Sequence, residues 1–361
     1  ECTQMRLHVV LLDNGYYEFI WSHHHIIMDG WCLGILINDF TSILSSLENG
    51  KAPVLPEAEK YSTYINWLGR VDRDSTLEYW KKYLDGLNSA TLIPFEKPKE
   101  DTSYDLSSHI SFIDRAIYKD LVQFCQECGI TLNTYIQAVW SYLLSSYNHS
   151  EDVIFGAVVS GRPPEVSGIE SMVGLFINTI PVRVILNRDD TPRSLLNKVH
   201  EDSIKSTDHH YLSLAEIQLK RNLINHILIF ENFLMNNEVA ANESETSKMT
   251  VEKSNLHLQT TYDFNFEILP TGLDMRILVD YNKNVFDDYS VVNIVKAFEE
   301  ILVFFKANMD LPLYETKEKL EKQSIYFKAV VQQNIKEIIT SMDADLIKQK
   351  NSKKLSAFIK K

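Results

Sequence analysis

The chain has 361 residues, 45% hydrophobic and 24% charged, which is typical of a folded soluble protein with two lobes or domains. No apolar run approaches the ~20 residues that cross a bilayer, no signal peptide opens the chain, and four cysteines are too few for a disulfide scaffold, so we predict a cytoplasmic protein without a membrane span. The net charge of −13 combines an acidic body with a lysine-rich segment from Lys317 onward, and the acidic body argues against a nucleic-acid ligand.

The first fifty residues predict a β-hairpin followed by a helix. Two apolar runs flank the sequence DNG within LHVVLLDNGYYEFIWS, residues 7–22, and DNG suits a turn with φ above zero. Apolar residues then recur at steps of three and four from Leu33 to Leu47. Gly50 marks the end of this helix.

Residues 61–84 predict a further helical stretch, rich in aromatic side chains, and Pro94 and Pro98 mark a boundary within a charged loop. Beyond it, helices and strands alternate, which predicts a mixed α/β protein whose sheets are covered by helices. The elements predicted there are helices at 115–128, 132–147, 194–210 and 290–306, strands within 152–164, 172–186, 226–233, 256–270 and 273–287, and a polar loop at 236–250.

The segment from about residue 312 onward has a different character. Phe327, Val331, Ile335, Ile338 and Met342 trace a helical stripe, and the final KQKNSKKLSAFIKK is rich in lysine. We predict a basic helical tail or a linker to another domain, with weak binding to a membrane or a partner as the alternative.

The densest motif is WSHHHIIMDGW near the start of the chain, and a metal site is one interpretation of it. His23 and His25 can share one face of an extended backbone, and Asp29 could join them. No other Cys/His pair has the spacing of a structural zinc site, however. Cys125 and Cys128 stand in a helical pattern and are better interpreted as two core thiols. We therefore predict no metal.

Two other interpretations account for the motif. Asp29 could be the N-cap of the following helix, with Gly30 in a tight turn and Trp31 packed inside, but this leaves the histidines unexplained. Alternatively, one histidine accepts a proton or orients a substrate while Asp29 braces the turn. The sequence has no G-x-S-x-G elbow and no cysteine-protease signature, so a histidine acting on the substrate's own nucleophile is the simplest chemistry.

The segment from His24 to Gly30 resembles the H-H-x-x-x-D-G motif of condensation domains from nonribosomal peptide synthetases, members of the chloramphenicol acetyltransferase-like superfamily. Further segments resemble the same family in the expected order, and the resemblance covers about Leu7 to Leu311. These segments are YSTYINWL, EYWKKYLDGL, FGAVVSGRPPEVSGIESMVGLFINTIPVRV, YLSLAEIQ, HILIFENF and YDFNFEI.

The resemblance implies roles for individual residues. His25 matches the active-centre histidine, and His24 matches a histidine whose role is more structural. Asp29 matches an aspartate that holds the loop through a salt bridge, with Arg162 of SGRP as its partner, and a guanidinium can bond a carboxylate bidentately. Asn178 of GLFINT matches an asparagine near the substrate tunnel. Ordinary turn and strand capping is the alternative for Arg162 and Asn178.

The implied fold is a two-lobed α/β chloramphenicol acetyltransferase-like fold. Residues 1–100 would be the remainder of the N-terminal lobe, residues 101–311 the C-terminal lobe, and residues 312–361 the basic tail or linker. Because the family places its histidine motif well inside the domain, we expect the N-terminal lobe to be partly missing.

The implied activity is amide-bond formation. Donor and acceptor peptidyl carrier proteins would bring the substrates on phosphopantetheine arms, neighbouring synthetase domains would adjoin, and the domain would bind no cofactor of its own. Two alternatives stay open: a non-catalytic fragment that docks carrier proteins, and an acyltransferase that uses a soluble thioester.

Overall fold

A computed structural model describes residues 3–87, 89–97, 103–218, 221–231, 260–272 and 274–333. It contains a two-stranded hairpin and a six-stranded sheet with helices packed on it, which confirms the mixed α/β prediction.

The N-terminal hairpin forms as predicted. Strands β1 (Met5–Leu11) and β2 (Tyr17–His23) pair antiparallel, and Gly15 adopts φ +81° in the connecting turn. Every residue of β1 is exposed, and the Phe19 ring contacts Phe40 of the next helix with centroids 5.9 Å apart. The hairpin therefore presents apolar side chains to solvent beside that helix.

Helix α1 (Gly30–Glu48) is the helix predicted from the apolar periodicity, and Gly50 beyond its end has φ +66°. The stretch predicted as helical at 61–84 is two helices, α2 (Tyr61–Leu68) and α3 (Arg73–Tyr83). The break falls where Asp72 caps α3 by accepting a hydrogen bond from the Ser75 backbone N–H at 3.0 Å.

Six strands form the large sheet in the order β3-β8-β7-β6-β4-β5. Parallel pairs join β4 to β6 and β6 to β7, and all other neighbours are antiparallel. The carboxyl ends of β4, β6 and β7 consequently lie at one edge, where β5 begins. The strands are β3 (Leu106–Ile113), β4 (Asp152–Val159), β5 (Asn178–Ile185), β6 (Ile227–Phe230), β7 (Phe264–Pro270) and β8 (Met275–Asn282).

Helices α5 and α8 cover one face of this sheet through aromatic packing. Trp140 of α5 stacks on Phe266 of β7 at 4.6 Å between centroids, and Phe298 of α8 meets the same ring at 4.9 Å. The helices in this part of the chain are α4 (Arg115–Glu127), α5 (Leu132–Asn148), α6 (Pro192–Ser206), α7 (Leu214–Ile217) and α8 (Asp288–Ala307).

Two details differ from the sequence-based expectations in this region. Strand β3 was not predicted, because its sequence LSSHISFI is only half apolar and lies at an exposed edge of the sheet. Of the two thiols expected in the core, Cys125 is buried but Cys128 is exposed, since it stands at the C-cap of α4. The predicted break between α4 and α5 at Gly129 is confirmed, with φ +68°.

The segment predicted as a tail begins within the domain core. Helix α9 (Leu313–Gln323) and a further helix, α10 at 325–333, follow α8, and Phe327 and Val331 are buried in the main core. The remaining members of the predicted stripe, Ile335, Ile338 and Met342, lie outside the described residues together with the lysine-rich end. The predicted polar loop at 236–250 and Pro98 lie outside them too.

One helix qualifies the expectation that no segment could cross a bilayer. By length and composition, α1 is long and apolar enough to do so. A single helix of this kind near the N-terminus is weak evidence for a membrane span. Its first turn is anchored in the folded protein, because Cys32 is completely buried.

Candidate active site

The histidine motif forms the connection between β2 and α1. His24 caps a short 3-10 turn, His25–Ile27, by accepting a hydrogen bond from the Ile26 N–H on its Nδ1 at 3.1 Å. The backbone N–H of His24 also donates to the carbonyl of Gln4 at 2.8 Å. His25 is exposed, and none of the described residues forms a hydrogen bond with its ring. The turn thus presents the His25 imidazole to solvent.

Asp29, four residues after His25, is buried and bonded to a distant loop. Its Oδ2 accepts the backbone N–H groups of Phe176 at 2.9 Å and Ile177 at 3.3 Å, and its own N–H donates to the carbonyl of Gly174 at 3.3 Å. Asp29 stands at the N-cap position of α1, yet its side chain makes no capping hydrogen bond. The N-cap interpretation is therefore wrong for this carboxylate, because the loop before β5 takes up its oxygens.

Arg162 meets Asp29 in a buried ion pair. Arg162 Nη2 lies 3.3 Å from Asp29 Oδ1, and the two side chains are 4% and 0% exposed. Arg162 Nη1 donates to the carbonyls of Ile169 and Met172, and the guanidinium lies 4.0 Å from the centre of the Phe176 ring. The contact with Asp29 uses one nitrogen, so it is not the bidentate geometry that a guanidinium permits.

Cys32 completes this buried cluster from the first turn of α1. Its thiol lies 3.3 Å from Asp29 Oδ1 and 3.2 Å from the carbonyl of Gly174, and its sulfur accepts the Gly174 N–H at 3.3 Å. Burial raises the pKa of the Cys32 thiol, so the group stays protonated and can donate. Its place in the sequence did not indicate this role, since a lone cysteine carries no spacing signal.

Two glycines let the loop backbone come this close, and no sequence pattern singled them out. Gly161 adopts φ +62°, and a Cβ there would lie 1.7 Å from the carbonyl oxygen of Phe176. A Cβ on Gly174 would lie 2.1 Å from the Tyr61 ring, whose hydroxyl donates to the carbonyl of Leu175 at 2.6 Å. For Gly161, the Ser-Gly dipeptide directly before Arg162 was the available sequence signal, because glycine is the residue that adopts positive φ most readily.

The two residues after Asp29 differ from the expectation of a tight turn with a buried indole. Gly30 is the first residue of α1 rather than part of a turn. Trp31 is 38% exposed, and its Nε1 donates to the carbonyl of Glu170 at 2.9 Å. The indole is therefore held by a polar contact at the surface and not by packing inside.

Asn178 opens β5 next to this loop and links two other segments. Its Nδ2 donates to the carbonyls of His210 at 2.7 Å and Leu212 at 2.6 Å, and its Oδ1 accepts the Thr179 N–H at 2.9 Å. These contacts tie the edge of the sheet to the chain after α6. They are the contacts expected of a structural cap, and they leave little of the amide free for a substrate.

His23 lies beside the motif on the last position of β2. Its ring centroid is 5.8 Å from that of Trp21, and burial together with the nearby His25 lowers the pKa of His23. Among the residues that the structure describes, no group of three or more His, Cys, Asp or Glu side chains is arranged to hold a metal ion.

The site therefore consists of an exposed imidazole on a turn that Asp29 joins to the loop between β4 and β5. An imidazole in this position can accept a proton from a bound nucleophile or orient it. The buried cluster of Asp29, Arg162 and Cys32 holds the end of this turn in place, because its polar groups bond one another across several elements.

Comparisons with known proteins identify relatives of this chain. The sequence model described as Condensation domain matches residues 1–326. Bacitracin synthase 3 of Bacillus licheniformis is 35% identical over 316 residues, which are 86% of this chain and 5% of that synthase. Gramicidin S synthase 2 of Brevibacillus brevis is 34% identical over 326 residues, which are 87% of this chain and 7% of that synthase. The chain thus spans a small part of these relatives.

Solved structures share the fold at low sequence identity. A four-domain nonribosomal peptide synthetase bound to AMP and glycine superposes with a TM-score of 0.70 at 17% identity, over 86% of this chain and 25% of that one. The starter condensation domain of rhizomide synthetase, in complex with C8-CoA, also gives 0.70, at 14% identity over 86% of this chain and 71% of the other.

Proposed function

The chain belongs to the condensation-domain family, with its chloramphenicol acetyltransferase-like fold, and we propose that it catalyses amide-bond formation between two carrier-protein-bound thioesters. The acceptor amine attacks the carbonyl carbon of the donor thioester, the carbon–sulfur bond breaks, and the departing thiolate takes up the proton that the amine loses. The product is an amide on the acceptor arm.

The observation that carries this proposal is the exposed His25 imidazole on a turn that leads directly into the buried Asp29–Arg162 pair. An α-ammonium has a pKa of about 8, so little proton abstraction is needed near neutral pH. His25 then serves to orient the amine, to accept its proton during attack and to pass that proton to the departing thiolate. His24, Asp29 and Arg162 hold the turn from which it acts.

The partners in this proposal are a donor and an acceptor peptidyl carrier protein, with neighbouring synthetase domains on either side. The phosphopantetheine belongs to the carriers, and the domain itself binds no cofactor. The relatives are synthases many times longer than this chain, which supports a place within a larger assembly. Residues 1–100 and 101–311 would contribute the two walls of the substrate path.

A second candidate function uses a soluble thioester as donor. The observation that favours it is the rhizomide starter condensation domain, which was solved with C8-CoA. A coenzyme A thioester presents the same pantetheine arm and thioester carbon to His25, but it needs no carrier protein.

A reconstituted assay tests both candidates. The chain is mixed with an aminoacyl donor and an aminoacyl acceptor, each loaded on a carrier protein, and the dipeptidyl product is measured by mass spectrometry. We expect product, and a loss of roughly 100-fold or more in His25→Ala. His23→Ala, which changes a neighbouring ring outside the proposed role, is the matched control and should keep its activity.

The other outcomes separate the alternatives. Equal rates in His25→Ala and the wild type would refute the role of His25. Carrier binding without product would support a docking fragment instead. Efficient transfer from coenzyme A thioesters without a donor carrier would favour the soluble-thioester function.

A further inference from the structure

Trp140 and His226 each bury a ring nitrogen that has no hydrogen-bond partner, at a place where a helix packs on the large sheet. Trp140 lies on α5, His226 directly precedes β6, and both residues are 0% exposed. Trp140 Nε1 and His226 Nε2 are shielded from solvent, and neither forms a hydrogen bond with any residue that the structure describes. Buried polar groups are normally satisfied, so two such nitrogens in one core indicate a bound molecule.

The two nitrogens have complementary hydrogen-bonding roles. An indole Nε1–H can only donate. Nδ1 of His226 lies 2.8 Å from the side-chain oxygen of Asn225, and because an amide oxygen only accepts, Nδ1 carries the ring hydrogen. Nε2 of this neutral imidazole is consequently an acceptor. Burial lowers the pKa of His226 to about 3, which keeps the ring neutral near pH 7.

The separation of the two rings suits a bridge of one small molecule. Their centroids are 5.9 Å apart, and the ring planes are inclined at 70°. The rings are thus neighbours, yet their nitrogens do not bond each other directly. Two hydrogen bonds of about 2.9 Å that share one oxygen join atoms about 4.5–5 Å apart. A single water molecule matches this spacing.

The surroundings of the two rings argue against a charged ligand. Phe266 and Phe264 stack on Trp140 with centroids at 4.6 and 6.3 Å, and the Phe155 ring lies 6.4 Å from that of His226. An ion among these aromatic rings would lose its hydration without a counter-ion. The two nitrogens require a neutral molecule that accepts one hydrogen bond and donates another, and water is the smallest molecule that does both.

We propose that one buried water molecule bridges Trp140 and His226, accepting the hydrogen of Trp140 Nε1 and donating one of its own to His226 Nε2. The bridge joins α5 to the start of β6, a strand in the interior of the six-stranded sheet. The His226 carbonyl also accepts the N–H of Gly156 at 3.1 Å, so the same residue is tied to β4 through its backbone. The inference concerns the core of the domain and is independent of the proposed function.

NMR on the full chain with ¹⁵N-labelled tryptophan tests the bridge. The Hε1 signal of Trp140 is assigned by its loss in Trp140→Phe. We expect this proton to show a rotating-frame Overhauser effect to water, with the sign opposite to that of hydrogen exchange, because the bound oxygen lies about 3 Å from Nε1. Trp80 is the matched control: it is also 0% exposed, but its Nε1 donates to the carbonyl of His209 at 3.1 Å, so it should show no such effect.

His226→Phe keeps a ring of similar size but removes the acceptor, and it should abolish the effect at Trp140. His8→Phe, the same change on exposed β1, should leave the effect intact. Persistence of the effect in His226→Phe would overturn the bridge. Two measurements on the wild type alone would also overturn it: no effect at Trp140 Hε1, or a ¹⁵N-histidine spectrum that shows His226 protonated on Nε2, since that nitrogen could then not accept.

Discussion

Arg162 and Asp29 are 133 residues apart in the chain and meet as a buried ion pair, with Arg162 Nη2 3.3 Å from Asp29 Oδ1. The pair joins the start of α1 to the loop after β4. Because both side chains are also shielded from solvent, the charge of each is stabilised only by the other and by the surrounding backbone.

Removal of either partner should destabilise the protein strongly. We expect Asp29→Ala or Arg162→Ala to lower the free energy of unfolding by about 3–5 kcal/mol, because the remaining charge stays buried and unpaired. Denaturant unfolding measures this, and the double variant should lose less than the sum of the two. The exposed Arg73–Glu216 pair is the control, and Glu216→Gln should change stability by less than about 1 kcal/mol. Similar effects at both pairs would contradict the buried character of the first.

Gly161→Ala should be much more costly than Gly129→Ala. Both glycines have positive φ, but a Cβ at Gly161 would lie 1.7 Å from the Phe176 carbonyl oxygen, whereas a Cβ at Gly129 would meet no atom beyond its chain neighbours within 4 Å. Gly129→Ala bears only the cost of the left-handed backbone, about 1–2 kcal/mol. Gly161→Ala adds a clash that moves the loop bonded to Asp29. Thermal unfolding compares the two, and equal shifts in Tm would argue against the close approach.

Cys32→Ser should be tolerated, and Cys32→Ala should not. A serine hydroxyl can donate to Asp29 and accept the Gly174 N–H as the thiol does, so we expect a change in unfolding free energy within about 1 kcal/mol. Alanine leaves the Gly174 N–H without its acceptor and costs about 1–3 kcal/mol. Denaturant unfolding under reducing conditions distinguishes them. A larger loss in the serine variant would show that the size of the sulfur matters more than its hydrogen bonds.

Asn178→Asp should be more harmful than Asn178→Ala near neutral pH. The Nδ2 group donates to the carbonyls of His210 and Leu212, and a carboxylate would turn a negative oxygen toward them. We expect a loss of about 2 kcal/mol or more for aspartate, and a smaller difference from alanine at low pH, where the carboxyl is protonated. Asn284→Asp, at an exposed amide, is the control. If Asn178→Asp lowered the free energy of unfolding less than Asn178→Ala near neutral pH, the two hydrogen bonds of Nδ2 would be contradicted.

The stability of the chain should fall between about pH 6.5 and 8. Burial raises the pKa of Glu267 from 4.5 to about 8, so the folded protein holds a proton that the unfolded chain has released. The resulting stability is complete below pH 4.5 and is lost as the pH rises through 8. Buried histidines such as His226, whose pKa burial lowers to about 3, titrate around 6.5 in the unfolded chain, so their effect has the opposite sign and fades over the lower part of this window. Glu231, whose pKa burial raises to about 7, adds to the decline up to about pH 7.

A difference of one bound proton between the folded and the unfolded chain changes the free energy of unfolding by up to about 1.4 kcal/mol per pH unit. Denaturant unfolding at pH 6.5 and pH 8 should show the decline in the wild type and in Glu127→Gln, the same change on exposed α4. Glu267→Gln should flatten it, and an unchanged slope in that variant would contradict the raised pKa.

The sequence by itself determined the local elements and the relationship to a family. The hairpin turn, the periodicity of α1 and the break at Gly129 depend on neighbouring residues, so the pattern was sufficient to predict them. Strand β3 could not be predicted in this way, because its residues are half polar and its strand character comes from pairing with β8, far along the chain. His25 and Asp29 were indicated by the resemblance of the H-H-x-x-x-D-G segment to that family, since the residue pattern alone left a metal site and an N-cap open.

Only the tertiary structure decided how these residues are held. Asp29 bonds Phe176 and not the first turn of its own helix, because folding brings a loop 147 residues away against it. The burial of Glu231 and Glu267 is likewise invisible in the pattern, since a glutamate is rarely buried and nothing local marks the exceptions. Contacts of this range depend on the packing of whole elements, and for that reason only the tertiary structure decides which polar groups are buried and which partners they bond.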